Sequence, residues 1–139
     1  MAYMVLFGGV KRLVIDPDNS GGRTVGTGPL VCANATRADL DAAMLVAFAG
    51  FAAECLLVPN RRGFGQGSAV DFAYVRRFAK MGTYTEPDVF YVFLATLAFV
   101  AAYRAEIEAV ADSLKRCGSL RGAKVVEITA ASRACEQAA

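Results

Sequence analysis

The chain of 139 residues contains no histidine and no tryptophan. Without histidine it lacks the usual general base of serine and cysteine hydrolases and the commonest nitrogen ligand of zinc. Its four cysteines are far apart and form no C-x-x-C pair; they are Cys32, Cys55, Cys117 and Cys135. The sequence therefore offers neither a nucleophile with its base nor a zinc knuckle, and we expect reduced thiols in a cytoplasmic protein.

Charge is also scarce. Charged residues make up 20% of the chain and the net charge is +2, with lysine and arginine scattered along the sequence. Because nucleic-acid binding needs concentrated positive charge, we predict no nucleic-acid partner. Apolar residues make up 55% of the chain, which excludes disorder and predicts a single folded domain over residues 1–139.

No uninterrupted apolar run reaches the length of about 20 residues that a membrane-spanning helix needs. Residues 42–58 are apolar except for Gly50 and Glu54, and residues 89–103 are apolar except for Thr96. Glu54 would be costly in lipid. We therefore predict two core helices here and no integral membrane segment.

The hydrophobic pattern predicts a mainly α (α+β) fold with a small N-terminal β-hairpin. Residues 10–16 and 23–30 have strand character and flank the turn-rich segment 17–22. Helical spacing predicts four helices, over residues 37–57, 69–81, 87–116 and 122–131. Residues 132–139 are predicted to fray.

Capping residues support the predicted helix ends. Thr36 and Asp39 have the spacing of a capping box, Ser68 precedes the second helix, and Gly118 ends the third. The first half of the third helix is apolar on nearly every side, so we expect it to be deeply buried.

Three segments, in order, resemble the protease domain of the FtsH-type ATP-dependent zinc metalloproteases. They are T-R-A-D-L-D-A-A-M-L-V-A-F-A-G-F-A-A-E (36–54), G-Q-G-S-A-V-D-F-A-Y-V-R-R-F-A (65–79) and I-E-A-V-A-D-S-L-K-R-C-G-S-L-R-G-A-K-V-V-E-I (107–128). The resemblance implies a helical FtsH-peptidase-like domain. No Walker motif is present, so ATP dependence is not implied.

In that family zinc is held by the two histidines of H-E-x-x-H and by an aspartate from a later helix. The resemblance places Asp71 at the third-ligand position and Glu54 near the metal. The histidines and the catalytic glutamate have no counterpart, since residues 1–9 are similar to the stretch that directly follows them. The resemblance thus implies a domain without its first helix, without catalytic residues and without a cofactor, unless a zinc-binding motif lies upstream of Met1.

The residues themselves allow simpler roles. Asp71 in the first turn of a helix is explained by capping or by the helix dipole. Glu54 in an apolar helix needs a partner such as an arginine or a backbone amide.

We therefore predict a non-catalytic relative of the FtsH-type peptidase domain that serves as an interaction or self-associating module. The missing helix would leave an apolar groove, which a second copy or another protein would cover. One alternative is a truncated form of an active zinc metallopeptidase whose H-E-x-x-H motif lies upstream of Met1. A weaker alternative is a small membrane-associated protein.

Overall fold

The computed structural model describes residues 9–16, 22–26, 31, 34–58 and 68–137. In chain order the elements are β1 (Val10–Ile15), β2 (Gly22–Gly26), α1 (Arg37–Leu57), α2 (Ala69–Met81), α3 (Glu86–Ala102), α4 (Arg104–Cys117), β3 (Ser119–Arg121) and α5 (Gly122–Gln137). The protein is mainly helical with a small antiparallel sheet, as predicted. These elements group into two compact units, so the single-domain assignment stays a prediction.

The first unit, called the sheet unit, comprises β1, β2, α4, β3 and α5. Its strand order is β2-β1-β3, and both pairings are antiparallel. The predicted hairpin of β1 and β2 is confirmed, whereas residues 27–30 of the second predicted strand lie outside the described part. The third strand was not predicted, because three residues are too few to show the alternation of a strand.

The core of the sheet unit lies between the sheet and its two helices. It consists of Val10, Leu13, Val110, Leu120 and Val125. Because α5 begins directly after β3, its first residue, Gly122, lies against the central strand. A Cβ atom on Gly122 would overlap the carbonyl oxygen of Val10, so only glycine fits there.

Of the two helices of the sheet unit, α4 ends where the sequence predicts and α5 does not. α4 ends as predicted at Gly118, whose φ of 68° is left-handed and favours glycine. α5 continues to Gln137, past the predicted end at residue 131. A contact between the two helices accounts for the extension, since Arg133 Nε donates a hydrogen bond to Glu106.

The second unit, called the helical unit, comprises α1, α2 and α3. Both α2 and α3 pack on α1, and they make few contacts with each other. The predicted capping box of α1 is confirmed: Asp39 N donates to Thr36 Oγ1 at 3.2 Å, and Thr36 N donates to Asp39 Oδ2 at 2.8 Å. Ser68 precedes α2 as predicted, but its hydroxyl makes no capping hydrogen bond.

The predicted long helix over residues 87–116 is wrong. It is interrupted at Tyr103, and its two parts belong to different units. The interruption coincides with a change of pattern from an apolar sequence to an amphipathic one, so each part packs with different elements. α3 begins one residue before Pro87, behind a second capping box in which Thr85 N donates to Asp88 Oδ2 at 2.8 Å.

Among the described helices, α1 is long and apolar enough to cross a membrane by itself, with 21 residues and a mean hydropathy of 1.8. α3 and α4 meet the same criterion only when they are taken together across the break at Tyr103. The core helix of a soluble protein has the same length and composition. The absence of an integral membrane segment therefore stays a prediction.

Candidate functional site: an aromatic groove

The helical unit contains an apolar groove between α2 and α3. Because these helices both rest on α1 and touch each other little, α1 forms the floor and they form the walls. The volume is about 560 Å³, within the range of known ligand pockets. We call it the aromatic groove; it is lined by Phe48, Phe51, Phe72, Val75, Arg76, Ala79, Lys80, Tyr84, Thr85, Glu86, Val89, Phe90 and Phe93.

Four phenylalanines join the floor of the groove to its two walls: Phe48 and Phe51 lie on α1, Phe72 on α2 and Phe93 on α3. Phe48 contacts Phe93 edge to face with ring centroids 5.3 Å apart, and Phe51 contacts Phe72 in the same way at 5.1 Å. Such aromatic pairs contribute about 0.5–1.5 kcal/mol beyond the burial of their area. These contacts hold the two walls of the groove on its floor, so all three helices are linked.

Tyr84 fixes one end of the groove. Its hydroxyl donates to Asp41 Oδ1 at 2.6 Å and lies 3.0 Å from the carbonyl oxygen of Arg37. The Arg37 guanidinium stacks 4.2 Å from the centre of the tyrosine ring and also pairs with Asp88 at 3.2 Å. Burial, then the hydrogen bond to Asp41, raises the pKa of Tyr84 to about 12. This network joins the start of α1 to the start of α3.

The rim carries charge of both signs. Arg76 and Lys80 lie four residues apart on α2, on one face of that helix, and Glu86 opens α3. Within the described part of the chain, none of these three makes an ion pair. Their charges are thus available to a partner.

The expectation that α3 is deeply buried is wrong. Only Thr96 and Val100 are buried on this helix, whereas Phe90 is 56% and Tyr91 68% exposed. The exposed positions follow a helical stripe that leads away from the groove: Phe90, Tyr91, Leu94, Ala95, Ala98, Ala101 and Ala102. Burying apolar surface is the main favourable contribution to association, so this stripe is a surface suited to a partner.

Neither residue that the sequence singled out lines the groove. Asp71 lies in the first turn of α2, half-buried, with Oδ2 3.9 Å from where a Cβ atom of Gly50 would stand. Burial raises the pKa of this carboxyl. Glu54 is half-buried on α1, four residues after Gly50 and so on the same side of the helix.

Zinc sites need three or four protein ligands. Among the described residues no group of three histidine, cysteine, aspartate or glutamate side chains could hold a metal ion. The described residues therefore do not fit a zinc site. The ligand role of Asp71 stays a prediction from the resemblance.

Three of the four cysteines are described. Cys55 is half-buried, Cys117 and Cys135 are exposed, and all three are free thiols. Cys32 lies outside the described residues. None of these thiols can form a cysteine–histidine pair, because the chain has no histidine.

The groove itself was not located from the sequence. The lining residues do show a helical spacing in the sequence, namely Phe48 and Phe51 on α1, and Phe72, Val75 and Arg76 on α2. Core-facing helices show the same spacing, so the pattern does not distinguish a groove from a filled core.

No protein-family model matches this chain, and no curated protein matches it.

Proposed function

We propose that this protein is a self-associating interaction module, a non-catalytic relative of the FtsH-type peptidase domain. The observation that carries the proposal is the open aromatic groove beside the exposed apolar stripe of α3. Self-association would bury both surfaces. The relationship to the peptidase family rests on the three sequence segments alone.

A helix is the occupant that this geometry favours. When two helices pack on a third with a groove between them, the groove is the position that a fourth helix occupies in a four-helix bundle. Apolar helices bind such grooves through side chains spaced three and four residues apart. The stripe on α3 has that spacing, with Tyr91, Leu94 and Ala98 in succession.

A second copy of the chain is the favoured source of that helix. Each copy carries both the groove and the exposed stripe, and a two-fold dimer pairs the same surfaces reciprocally. The small alanine side chains of the stripe allow close approach of two helices. The rim supplies both signs of charge, with Arg76 and Lys80 on α2 and Glu86 on α3.

Sedimentation velocity over a range of protein concentrations tests this proposal. We expect a concentration-dependent dimer that Leu94→Glu converts to a monomer, because the carboxylate would be buried in the interface. Val126→Glu is the matched control, since Val126 is also exposed but lies on α5 of the sheet unit. Circular dichroism verifies that both variants are folded. A monomeric wild type, or equal effects of the two variants, would contradict the proposal.

The truncated-peptidase alternative has a separate test, namely the N-terminal sequence of the protein isolated from its native cells. A start at Met1 supports the non-catalytic module. A longer chain with H-E-x-x-H would instead make this sequence part of a zinc peptidase, with Asp71 as the candidate third ligand.

A further inference from the structure

The outer face of the sheet gathers arginines that are far apart in the sequence. Arg12 lies directly opposite Arg121 of β3, and Val14 lies opposite Arg23 of β2. Successive side chains of a strand alternate between the two faces, so residues 12 and 14 and all their partners share one face. That face, called the basic face, consists of Arg12, Val14, Arg23, Val25, Ser119 and Arg121.

The opposite face of the sheet carries the core. Leu13 and Leu120 are paired across β1 and β3, and both are buried. The basic face is therefore the side turned away from the core of the sheet unit. All three of its arginines are exposed, and so is Lys11 beside the bulge between Val10 and Arg12.

These charges are not neutralised within the described part of the chain. Arg12, Arg23 and Arg121 make no ion pair there, and Arg12 donates a 3.2 Å hydrogen bond to the uncharged Ser119 hydroxyl. Asp16, which directly follows β1, makes no ion pair there either. Like charges placed directly opposite each other destabilise a sheet. The Arg12–Arg121 pair thus weakens the fold unless an anion lies across it.

We propose that the basic face binds the anionic surface of a lipid bilayer. With Lys11, which directly precedes Arg12, the three arginines make a group of four exposed cations. Groups of four or more lysines and arginines at a surface attract acidic headgroups without needing a directional partner. Val25, 43% exposed among the arginines, adds apolar contact at the interface. Single-stranded nucleic acid is disfavoured, because the six side chains of this face include no aromatic ring for base stacking. This site is in the sheet unit and does not depend on the aromatic groove.

Co-sedimentation with vesicles tests the proposal. We expect the protein to bind phosphatidylcholine vesicles that contain phosphatidylserine but not vesicles of phosphatidylcholine alone, and binding should weaken with added salt. Each neutralised arginine should lower the affinity about fivefold, so Arg12→Gln with Arg121→Gln should lower it roughly thirtyfold.

The matched control is the double variant Lys115→Gln with Arg116→Gln. It removes the same charge from the sheet unit, but these side chains lie on α4, where Lys115 pairs with Asp112 and Arg116 donates to Ser113. We expect it to bind like the wild type. If both double variants lost affinity for the acidic vesicles equally, net charge alone would explain the effect and the proposal would be overturned. The absence of binding to the acidic vesicles, or displacement from them by an oligonucleotide, would also overturn it.

Thermal unfolding without lipid gives a second readout, which a purely structural role of the arginines would not produce. Removing one member of a repelling pair should raise the melting temperature, so Arg121→Gln is expected to gain roughly 1–4 °C at low salt. A variant that loses lipid binding and gains stability would show that these arginines serve ligand binding and not the stability of the fold. A lower melting temperature would show that the chain itself neutralises them, contrary to the proposal.

Discussion

Arg133 Nε donates a 2.8 Å hydrogen bond to Oε1 of Glu106, whose side chain is only 3% exposed. The guanidinium also lies 5.1 Å from the centre of the Tyr103 ring. Among the described residues, the second carboxylate oxygen, Oε2, has no hydrogen-bond partner. Arg133 is thus the main compensation for a carboxylate buried between α4 and α5.

Arg133→Ala is expected to destabilise the protein by about 1–3 kcal/mol. Breaking a fully buried ion pair costs more, but Arg133 is half-exposed and water partly compensates. Urea unfolding measures the difference. Arg104→Ala is the control, because its ion pair with Glu108 is exposed on both sides and contributes less than about 1 kcal/mol. Equal losses would show that the burial of Glu106 has no energetic consequence.

The same ion pair should make stability depend on pH. The hydrogen bond from Arg133 lowers the pKa of Glu106 below its usual value of 4.5. A lowered pKa means that the stabilisation is complete above about pH 4.5 and is lost as pH falls through the folded-state pKa. The stability difference between wild type and Arg133→Ala should therefore shrink in acid. A difference that stays constant from neutral pH down to pH 2 would contradict this assignment.

Gly122→Ala is expected to destabilise the sheet unit by about 1–3 kcal/mol or more, as overpacking does. The new methyl group would overlap the carbonyl oxygen of Val10, which belongs to the central strand and has little freedom to move. Gly50→Ala is the control on α1, where the added Cβ would meet only Asp71 Oδ2 at 3.9 Å. We expect that variant to gain roughly 0.5–1 kcal/mol from helix propensity, and chemical denaturation distinguishes the two.

Asp71→Asn is expected to stabilise the protein at neutral pH. Burial raises the pKa of Asp71 above its usual value of 3.8, so the ionised carboxylate opposes folding. The stability associated with a raised pKa is present below the unfolded-state value and is lost as pH rises through the folded-state value. The gain from asparagine should thus be seen in melting curves at pH 7 and vanish near pH 3. A loss at pH 7 would show that helix-dipole stabilisation of the charge outweighs its burial.

The sequence predicted the elements that local chemistry determines. Thr36 and Asp39 form a capping box wherever a helix follows, and Gly118 supplies a left-handed residue that few others adopt. The alternation in β1 identified its strand in the same way. These signals lie within a few residues of one another, so one sequence is enough to read them.

The errors concern contacts between distant residues. Nothing near residue 131 shows that α5 continues, because its anchor is Glu106 on another helix. The apolar pattern of α3 does not tell whether a core or a partner covers the helix, and α3 proved largely exposed. The basic face is not predictable from the sequence for the same reason, since Arg12 and Arg121 meet only through strand pairing.

Tyr84→Phe is expected to cost about 1 kcal/mol at neutral pH, because Asp41 loses the hydroxyl that donates to it. The raised pKa of Tyr84, about 12 against 10 for the usual value, favours the neutral phenol in the folded protein. Its stabilisation is therefore complete below pH 10 and is lost as pH rises towards 12, where the wild type and the variant should converge. Urea unfolding at pH 7 and at high pH measures this convergence. Tyr91→Phe is the control, because Tyr91 is 68% exposed and should lose nothing. Equal stability of Tyr84→Phe and wild type at pH 7 would show that the hydroxyl does not hold the start of α1 to the groove.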